Sequence, residues 1–207
     1  VDNVHAFAAE VARLLAPDGV WVVEVPWVRE LLRGGEFDTI YHEHLSYWSL
    51  RALMKLADRH GMRATRVTYH PIHGGSLRVY FQKDGPGIPS WNEDELFSPV
   101  TYKLFKCRML DRIDAFWARY GPGRWAGFGA AAKGTVFAMT AGIGPQHLAY
   151  VVDETPEKQG KLTPYEVPIV PLSRLAEDPV DAVVIFPWNV ADEIRPKIPA
   201  GIKVVAT

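Results

Sequence analysis

The chain has 207 residues, of which 48% are hydrophobic and 23% are charged. These are the proportions of ordinary globular proteins, so they exclude an intrinsically disordered chain and a coiled coil. The 23 Lys and Arg residues nearly balance the 24 Asp and Glu residues, and the net charge of −1 excludes a generally basic surface for nucleic acid. No apolar run approaches the ~20 residues that span a bilayer.

Cys107 is the single cysteine of the sequence. It excludes a disulfide framework within the chain and any zinc site that needs several thiolates, and it indicates a reducing, cytoplasmic compartment. The start at Val1 shows neither an initiator Met nor the pattern of a signal peptide, so we expect a chain that is entered partway through.

Residues 1–83 predict part of an α/β sheet domain. Helices show apolar residues every three or four positions, whereas strands show short β-branched or alternating runs. On these patterns the elements are a helix over 4–15, a buried strand over 20–25, a helix over 50–60 and strands over 63–68 and 76–82. The short connection between the last two strands predicts an antiparallel pair at the sheet edge.

Residues 84–123 predict a linker rich in Gly and Pro and then a long amphipathic helix over 92–120, interrupted near Pro99. Residues 124–207 predict a second α/β domain, because strands and helices alternate and such alternation implies a parallel sheet. Its predicted strands are 124–128, 148–152, 167–170, 182–186 and 203–206, and its predicted helices are 131–142, 172–176 and 190–194.

Titratable residues are concentrated after the first predicted strand, in Tyr41-His42-Glu43-His44. Ligands of α/β sheets bind beyond the carboxyl ends of strands, so this segment is a candidate site. Three interpretations stay open: a solvated surface loop, a metal site, and acid/base catalysis by His44 with Tyr41 and Glu43 in support. The metal site would use His42 and His44 with His70 or His73.

A second candidate site is the glycine-rich stretch 127–134, which joins a predicted strand to a predicted helix. Glycines and a helix N-terminus suit a phosphate group, and Lys133 adds positive charge. Ala132 stands where the third glycine of a dinucleotide motif belongs, while Asp153 ends the next strand, where such folds hold a ribose hydroxyl. The alternative is a tight turn with a purely structural role.

Segments in the order of this chain resemble the sugar-nucleotide C-methyltransferase family of class I S-adenosylmethionine enzymes. Residues 14–26 resemble its helix and following strand, 37–44 its Tyr-x-Glu-His motif, and 72–79 its Gly-Gly-Ser-Leu-Arg segment. Residues 127–134, 151–160 and 186–189 resemble the family's C-terminal Rossmann-like domain. The resemblance covers nearly the whole chain.

The resemblance implies C-methylation at C3 of a 4-keto deoxysugar carried on a nucleoside diphosphate, usually dTDP, with S-adenosylmethionine as the donor. It makes His44 the base, Tyr41 its partner near the reacting carbon, and Glu43 an orienting group. It assigns nucleotide-sugar binding to the second domain through Gly129, Ala130, Lys133 and Asn189, with Ser76 and Arg78 facing the same cleft from the other side.

The family's N-terminal zinc-binding domain, its glycine-rich donor loop and the acidic residue after that loop find no match here. We therefore expect a fragment that is inactive alone, with the last three strands of a methyltransferase sheet and an exposed edge that favours self-association. The predicted fold is a partial class I methyltransferase sheet (1–83), a linker with a long helix (84–123) and a Rossmann-like α/β domain (124–207). A non-catalytic nucleotide-sugar binding module and a nicotinamide-binding oxidoreductase domain are the alternatives. No nucleic-acid or membrane partner is expected.

Overall fold

A computed structural model describes residues 1–89 and 91–207, which fall into two units. Unit 1 comprises residues 1–36 and 42–106, and unit 2 comprises residues 37–41 and 107–207. The short segment 37–41 therefore belongs to unit 2, although the chain on either side of it belongs to unit 1.

Unit 1 contains the helices and strands expected over residues 1–83. They are α1 (Val4–Leu14), β1 (Trp21–Pro26), α2 (Val28–Gly34), α3 (Leu50–Asp58), β2 (Arg63–His70) and β3 (Ser76–Gln82). The helix α2 was not predicted. It has seven residues and directly follows a strand, so its sequence is too short for a clear helical period.

The sheet of unit 1 has three strands in the order β1-β3-β2, and both pairings are antiparallel. The predicted pair β2–β3 is confirmed, with β3 at the centre of the sheet. The prediction that β1 is buried was wrong, because its residues alternate between half-buried and exposed. A β-branched run is found both in strands covered on two faces and in strands covered on one, so the sequence does not distinguish them.

The core of unit 1 forms where α3 meets the sheet. Leu50, Leu53 and Ala57 lie on one helical face at spacings of three and four. The inward residues of β3 alternate at a spacing of two, and the same buried cluster includes Leu77, Val79 and Phe81.

The long helix α4 (Pro99–Arg119) begins at the proline where the interruption was predicted, and not at residue 92. Proline suits the first turn of a helix, since the missing N–H has no partner there, and it disfavours the helical conformation of the residue before it. Residues Asp94–Phe97 form a separate 3-10 turn. The boundary between the units falls within α4, at residues 106 and 107.

Unit 2 is a five-stranded parallel sheet with intervening helices, which confirms the predicted alternation. Its elements are β4 (Trp125–Phe128), α5 (Ala132–Thr140), β5 (Val151–Val152), β6 (Ile169–Val170), α6 (Arg174–Glu177), β7 (Ala182–Ile185), α7 (Ala191–Ile194) and β8 (Lys203–Ala206). The strands β5 and β6 are shorter than predicted.

The strand order of unit 2 is β6-β5-β4-β7-β8. The chain leaves β4 toward β5 on one side, and β7 pairs with β4 on the other, so the strand order reverses between β4 and β7. Ligands of such sheets bind beyond the carboxyl ends of the strands at this reversal. Among the helices in residues 1–89 and 91–207, none is both long and apolar enough to cross a bilayer.

Candidate functional site

Two loops meet at the carboxyl ends of β4 and β7, and we call this place the switch-point site. One loop comprises residues 129–131, and the other comprises residues 186–190. Gly129 has a φ of +93°, and a Cβ at this position would lie 2.7 Å from Cδ of Pro187. Only glycine allows this approach, so the glycine of the first loop is required by its contact with the second loop.

Asp153 orders the first of these loops from the end of β5. Its Oδ2 accepts hydrogen bonds from the Ala130 backbone N–H at 2.8 Å and from the Lys158 ammonium at 3.1 Å. Its Oδ1 accepts one from the Thr155 N–H at 2.9 Å. Burial raises the pKa of Asp153, but the hydrogen bonds from Thr155 and Lys158 outweigh burial and leave the pKa below its usual value. The hydrogen bond between the Ala130 N–H and the Asp153 carboxylate thus gives a partner to both groups and fixes the loop.

Positive charge and an aromatic ring come together at the switch-point site. Lys133 lies in the first turn of α5, and its ammonium is 4.5 Å from the centroid of the Trp188 ring. Asn189 is exposed in the same 3-10 turn as Trp188. An ammonium at the N-terminus of a nine-residue helix is suited to an anionic group, because the backbone N–H groups there add to its attraction.

A buried ion pair supports this site and was missed by sequence reasoning. The Asp38 side chain is 0% exposed, and the Arg112 guanidinium donates to its two oxygens at 2.9 and 3.2 Å. Trp188 donates its Nε1–H to Asp38 Oδ2 at 2.7 Å. No local pattern marks these partners, because Asp38, Arg112 and Trp188 are far apart in the sequence.

The candidate catalytic motif divides between the two units. Tyr41 is half-buried and is the last residue of the segment that belongs to unit 2. Glu43 is exposed, and His44 is half-buried in unit 1, where its ring lies edge-on to that of Tyr47 at 6.3 Å. Within residues 1–89 and 91–207, no three His, Cys, Asp or Glu side chains are grouped to hold a metal ion. The catalytic roles stay predictions.

Ser76 and Arg78 both make contacts within unit 1. Ser76 is buried, and its hydroxyl donates to the Ile72 carbonyl at 3.1 Å. Arg78 faces Glu24 across the β1–β3 pairing, and its Nε–H donates to Glu24 Oε2 at 2.7 Å. This hydrogen bond raises the pKa of Arg78. The assignment of these two residues to substrate binding stays a prediction.

Residues 108–203 match the family described as "C-methyltransferase C-terminal domain". The chain is also similar to C-methyltransferase NovU of Streptomyces niveus, with 33% identity over 211 residues. The similarity covers 94% of this chain and 50% of that protein, so the chain spans about half the length of this relative. The matched domain includes Lys133, Asp153 and Trp188, which build the switch-point site. Residues 108–203 of the chain are therefore a C-methyltransferase C-terminal domain.

Proposed function

We propose that this chain is the acceptor-binding part of a cytoplasmic, S-adenosylmethionine-dependent C-methyltransferase. Its acceptor is a 4-keto deoxysugar carried on a nucleoside diphosphate, with dTDP as the first candidate. The observation that carries the proposal is the pairing of Lys133 with Trp188 at the switch-point site of a C-methyltransferase C-terminal domain. There, a cation, a helix N-terminus and an aromatic ring converge.

The nucleotide binds to the domain 124–207 in this proposal. Lys133 and the N-terminus of α5 attract the diphosphate, while Gly129 and Ala130 let that group approach the backbone closely. Trp188 and Asn189 contact the rest of the nucleotide. Ser76 and Arg78 remain candidate contacts to the acceptor from unit 1.

The chemistry assigned to this chain is proton abstraction. The C4 ketone acidifies the C3–H bond, which breaks as the His44 imidazole takes the proton and the electron pair moves toward the C4 oxygen. An imidazole suits this step because its ordinary pKa lies close to neutral pH. Tyr41 donates a hydrogen bond to the enolate, and Glu43 orients His44.

S-adenosylmethionine supplies an electrophilic methyl group when it is bound. The described strands of unit 1 are antiparallel, and none leads through a glycine-rich turn into a helix. In this proposal, most of the donor site is formed by residues other than those of this chain. The residues of this chain act in the reaction up to the enolate.

Calorimetric titration of the 207-residue chain with dTDP tests the nucleotide assignment. We expect dTDP to bind, S-adenosylmethionine not to bind, and Lys133→Ala to weaken dTDP binding by about tenfold, as for the loss of one charge-assisted contact. Lys203→Ala is the matched control, since the Lys203 ammonium also lies over a tryptophan, Trp125, but at the other end of the sheet. Equal dTDP affinity in both variants would contradict the assignment.

Exchange of the C3 hydrogen of the sugar with solvent tests the assignment of His44 as the base, and this assay needs no methyl donor. The chain is mixed with a dTDP-4-keto deoxysugar in D₂O, and loss of the C3 proton signal is followed by NMR. We expect exchange above the protein-free rate, and none above it with His44→Ala, while His42→Ala exchanges normally. Nucleotide binding without exchange favours a non-catalytic binding module instead. Binding of NADH in place of dTDP favours the oxidoreductase alternative.

A further inference from the structure

Asp38 is a fully buried charged residue of unit 2 that has two partners, Arg112 and Trp188. Its carboxylate is 0% exposed and receives two hydrogen bonds from Arg112 of α4 and one from Trp188. Desolvating a carboxylate is costly, and a salt bridge rarely returns more than the cost, so such a pair fixes geometry more than it adds stability. The geometry that it fixes is that of the segment 37–41.

A second contact fastens the same segment. Phe37 stacks on Phe137 of α5, with ring centroids 5.7 Å apart and an angle of 28° between the planes. The Arg112 guanidinium lies 5.3 Å from the Phe37 ring centroid and 5.7 Å from that of Trp188. The segment is thus attached to α5, whose first turn carries Lys133, and to the loop that carries Trp188.

The attachment extends to Tyr41 through a short, ordered piece of chain. Residues Phe37–Thr39 form a 3-10 turn, and the Ile40 N–H donates to the Phe37 carbonyl at 3.0 Å. Tyr41 follows directly and belongs to unit 2 with the rest of this segment. Only Thr39 and Ile40 lie between Asp38 and Tyr41, so a displacement of Asp38 is transmitted to Tyr41.

We infer that Asp38 is a positioning residue that holds Tyr41 in a fixed place relative to the nucleotide-binding loop of unit 2. Trp188 is the link, because one edge of its ring is held by Asp38 while Lys133 lies over its face. A nucleotide seated at Lys133 and Trp188 then has its sugar presented to a Tyr41 that is anchored to the same unit. This inference rests on the proposed function for its catalytic consequence, but not for the link between Asp38 and Tyr41.

The link is tested with 3-fluorotyrosine placed at position 41 and observed by ¹⁹F NMR. Asp38→Asn removes the charge at nearly constant shape. Trp188→Phe removes the indole N–H that donates to Asp38 and makes the ring smaller, but it keeps an aromatic side chain. We expect both variants to shift or broaden the Tyr41 resonance. Asp178→Asn is the matched control, because Asp178 also forms a two-oxygen pair with an arginine of unit 2, Arg124, but at the surface. An unchanged resonance in both Asp38→Asn and Trp188→Phe would overturn the inference.

The catalytic consequence is tested in the exchange assay at saturating nucleotide sugar. Asp38→Asn should slow exchange by about 10- to 100-fold, the range expected for a small misplacement of a reacting group. If Asp38 acts through Tyr41, Asp38→Asn combined with Tyr41→Phe is no slower than Tyr41→Phe alone. A role in stability alone would make the two losses multiply, and that result would also overturn the inference.

The two proposals fail in different ways. A wild-type chain that neither binds dTDP nor exchanges the C3 proton refutes the proposed function, yet the ¹⁹F comparison needs no ligand and still decides whether Asp38 positions Tyr41. Where Asp38→Asn does not fold, Trp188→Phe carries the test, since Trp188 is half-buried and phenylalanine keeps an aromatic ring at this position.

Discussion

Glu93 connects three parts of unit 1, and its replacement by glutamine should destabilise that unit strongly. The side chain is 1% exposed. Its Oε1 accepts from the Trp27 indole at 2.7 Å and from the Leu50 N–H at 3.0 Å, and its Oε2 accepts from the Arg51 N–H at 2.8 Å. Leu50 and Arg51 begin α3, so the carboxylate satisfies donors that no helical carbonyl reaches.

The expected cost follows from these contacts. In Glu93→Gln, the amide oxygen replaces one carboxylate oxygen, and the amide NH₂ is directed at a backbone N–H that has no other acceptor there. Losing a hydrogen bond to a charged group costs about 1.5–3 kcal/mol. Losing a negative charge at a helix N-terminus costs roughly 0.3–1 kcal/mol more. The free energy of unfolding of unit 1 should therefore fall by about 2–4 kcal/mol.

Equilibrium unfolding in urea measures this change, with the NMR signal of the Trp27 indole N–H reporting on unit 1. The neighbouring variant Asp94→Asn is the control, because Asp94 pairs with Arg51 at 2.9 Å but is 77% exposed. An exposed pair of this kind is worth roughly 0–1 kcal/mol. The reasoning is refuted if Glu93→Gln shifts the unfolding midpoint no further than Asp94→Asn at an unchanged slope.

Three further predictions concern the loops of unit 2 and the open sheet of unit 1. Gly129→Ala should lower the free energy of unfolding of unit 2 by about 1–3 kcal/mol and weaken dTDP binding, since φ is +93° and the added Cβ meets Pro187; differential scanning calorimetry and titration check both. The pKa of Asp153 is lowered on folding, so its contribution is present above the unfolded value of about 3.9 and is lost as pH falls through the folded pKa. Asp153→Asn should therefore flatten the acid side of the stability curve of unit 2, and an unaltered curve would contradict the assigned contacts. Val22 is 47% exposed on the edge strand β1. Because a lysine on an edge strand opposes strand pairing between chains, Val22→Lys should reduce the self-association measured by sedimentation equilibrium. A wild-type chain that is monomeric in this measurement would contradict the prediction.

Elements were predictable from sequence where their pattern is local. The parallel sheet of unit 2 follows from alternating apolar runs and turns, and the stop of α3 follows from Gly61, whose φ is +71°. The covering of β1 was not predictable, because a strand's own sequence does not state what packs on its second face. The predicted interruption near Pro99 is where α4 begins, since a proline inside a helical pattern marks a boundary more often than a kink.

The candidate site was predictable only in its loops. Gly129 and Lys133 lie in a recognisable strand–turn–helix pattern, so their place at the carboxyl end of a strand could be expected. Asp38 has no local pattern that marks it, and nothing near it in the sequence identifies Arg112 or Trp188 as its partners. Contacts of this kind depend on the folded chain bringing distant segments together, which single-sequence periodicity does not describe.

The two lysine–tryptophan contacts of unit 2 show why position decides function where chemistry alone does not. Lys203 begins β8, lies over the Trp125 ring that begins β4, and donates to the Arg119 carbonyl, so its charge is committed at the amino ends of the strands. Lys133 makes the same kind of contact with Trp188, but beyond the carboxyl ends, beside a helix N-terminus and at the reversal of strand order. The N-terminal backbone N–H groups of α5 lie at this second place, so the lysine there adds to an existing attraction for an anion. We expect Lys133→Ala and Lys203→Ala to lower the free energy of unfolding alike, but only Lys133→Ala to weaken nucleotide binding. That result would show that the position beyond the carboxyl ends of the strands, and not the lysine–tryptophan pair itself, accounts for the binding.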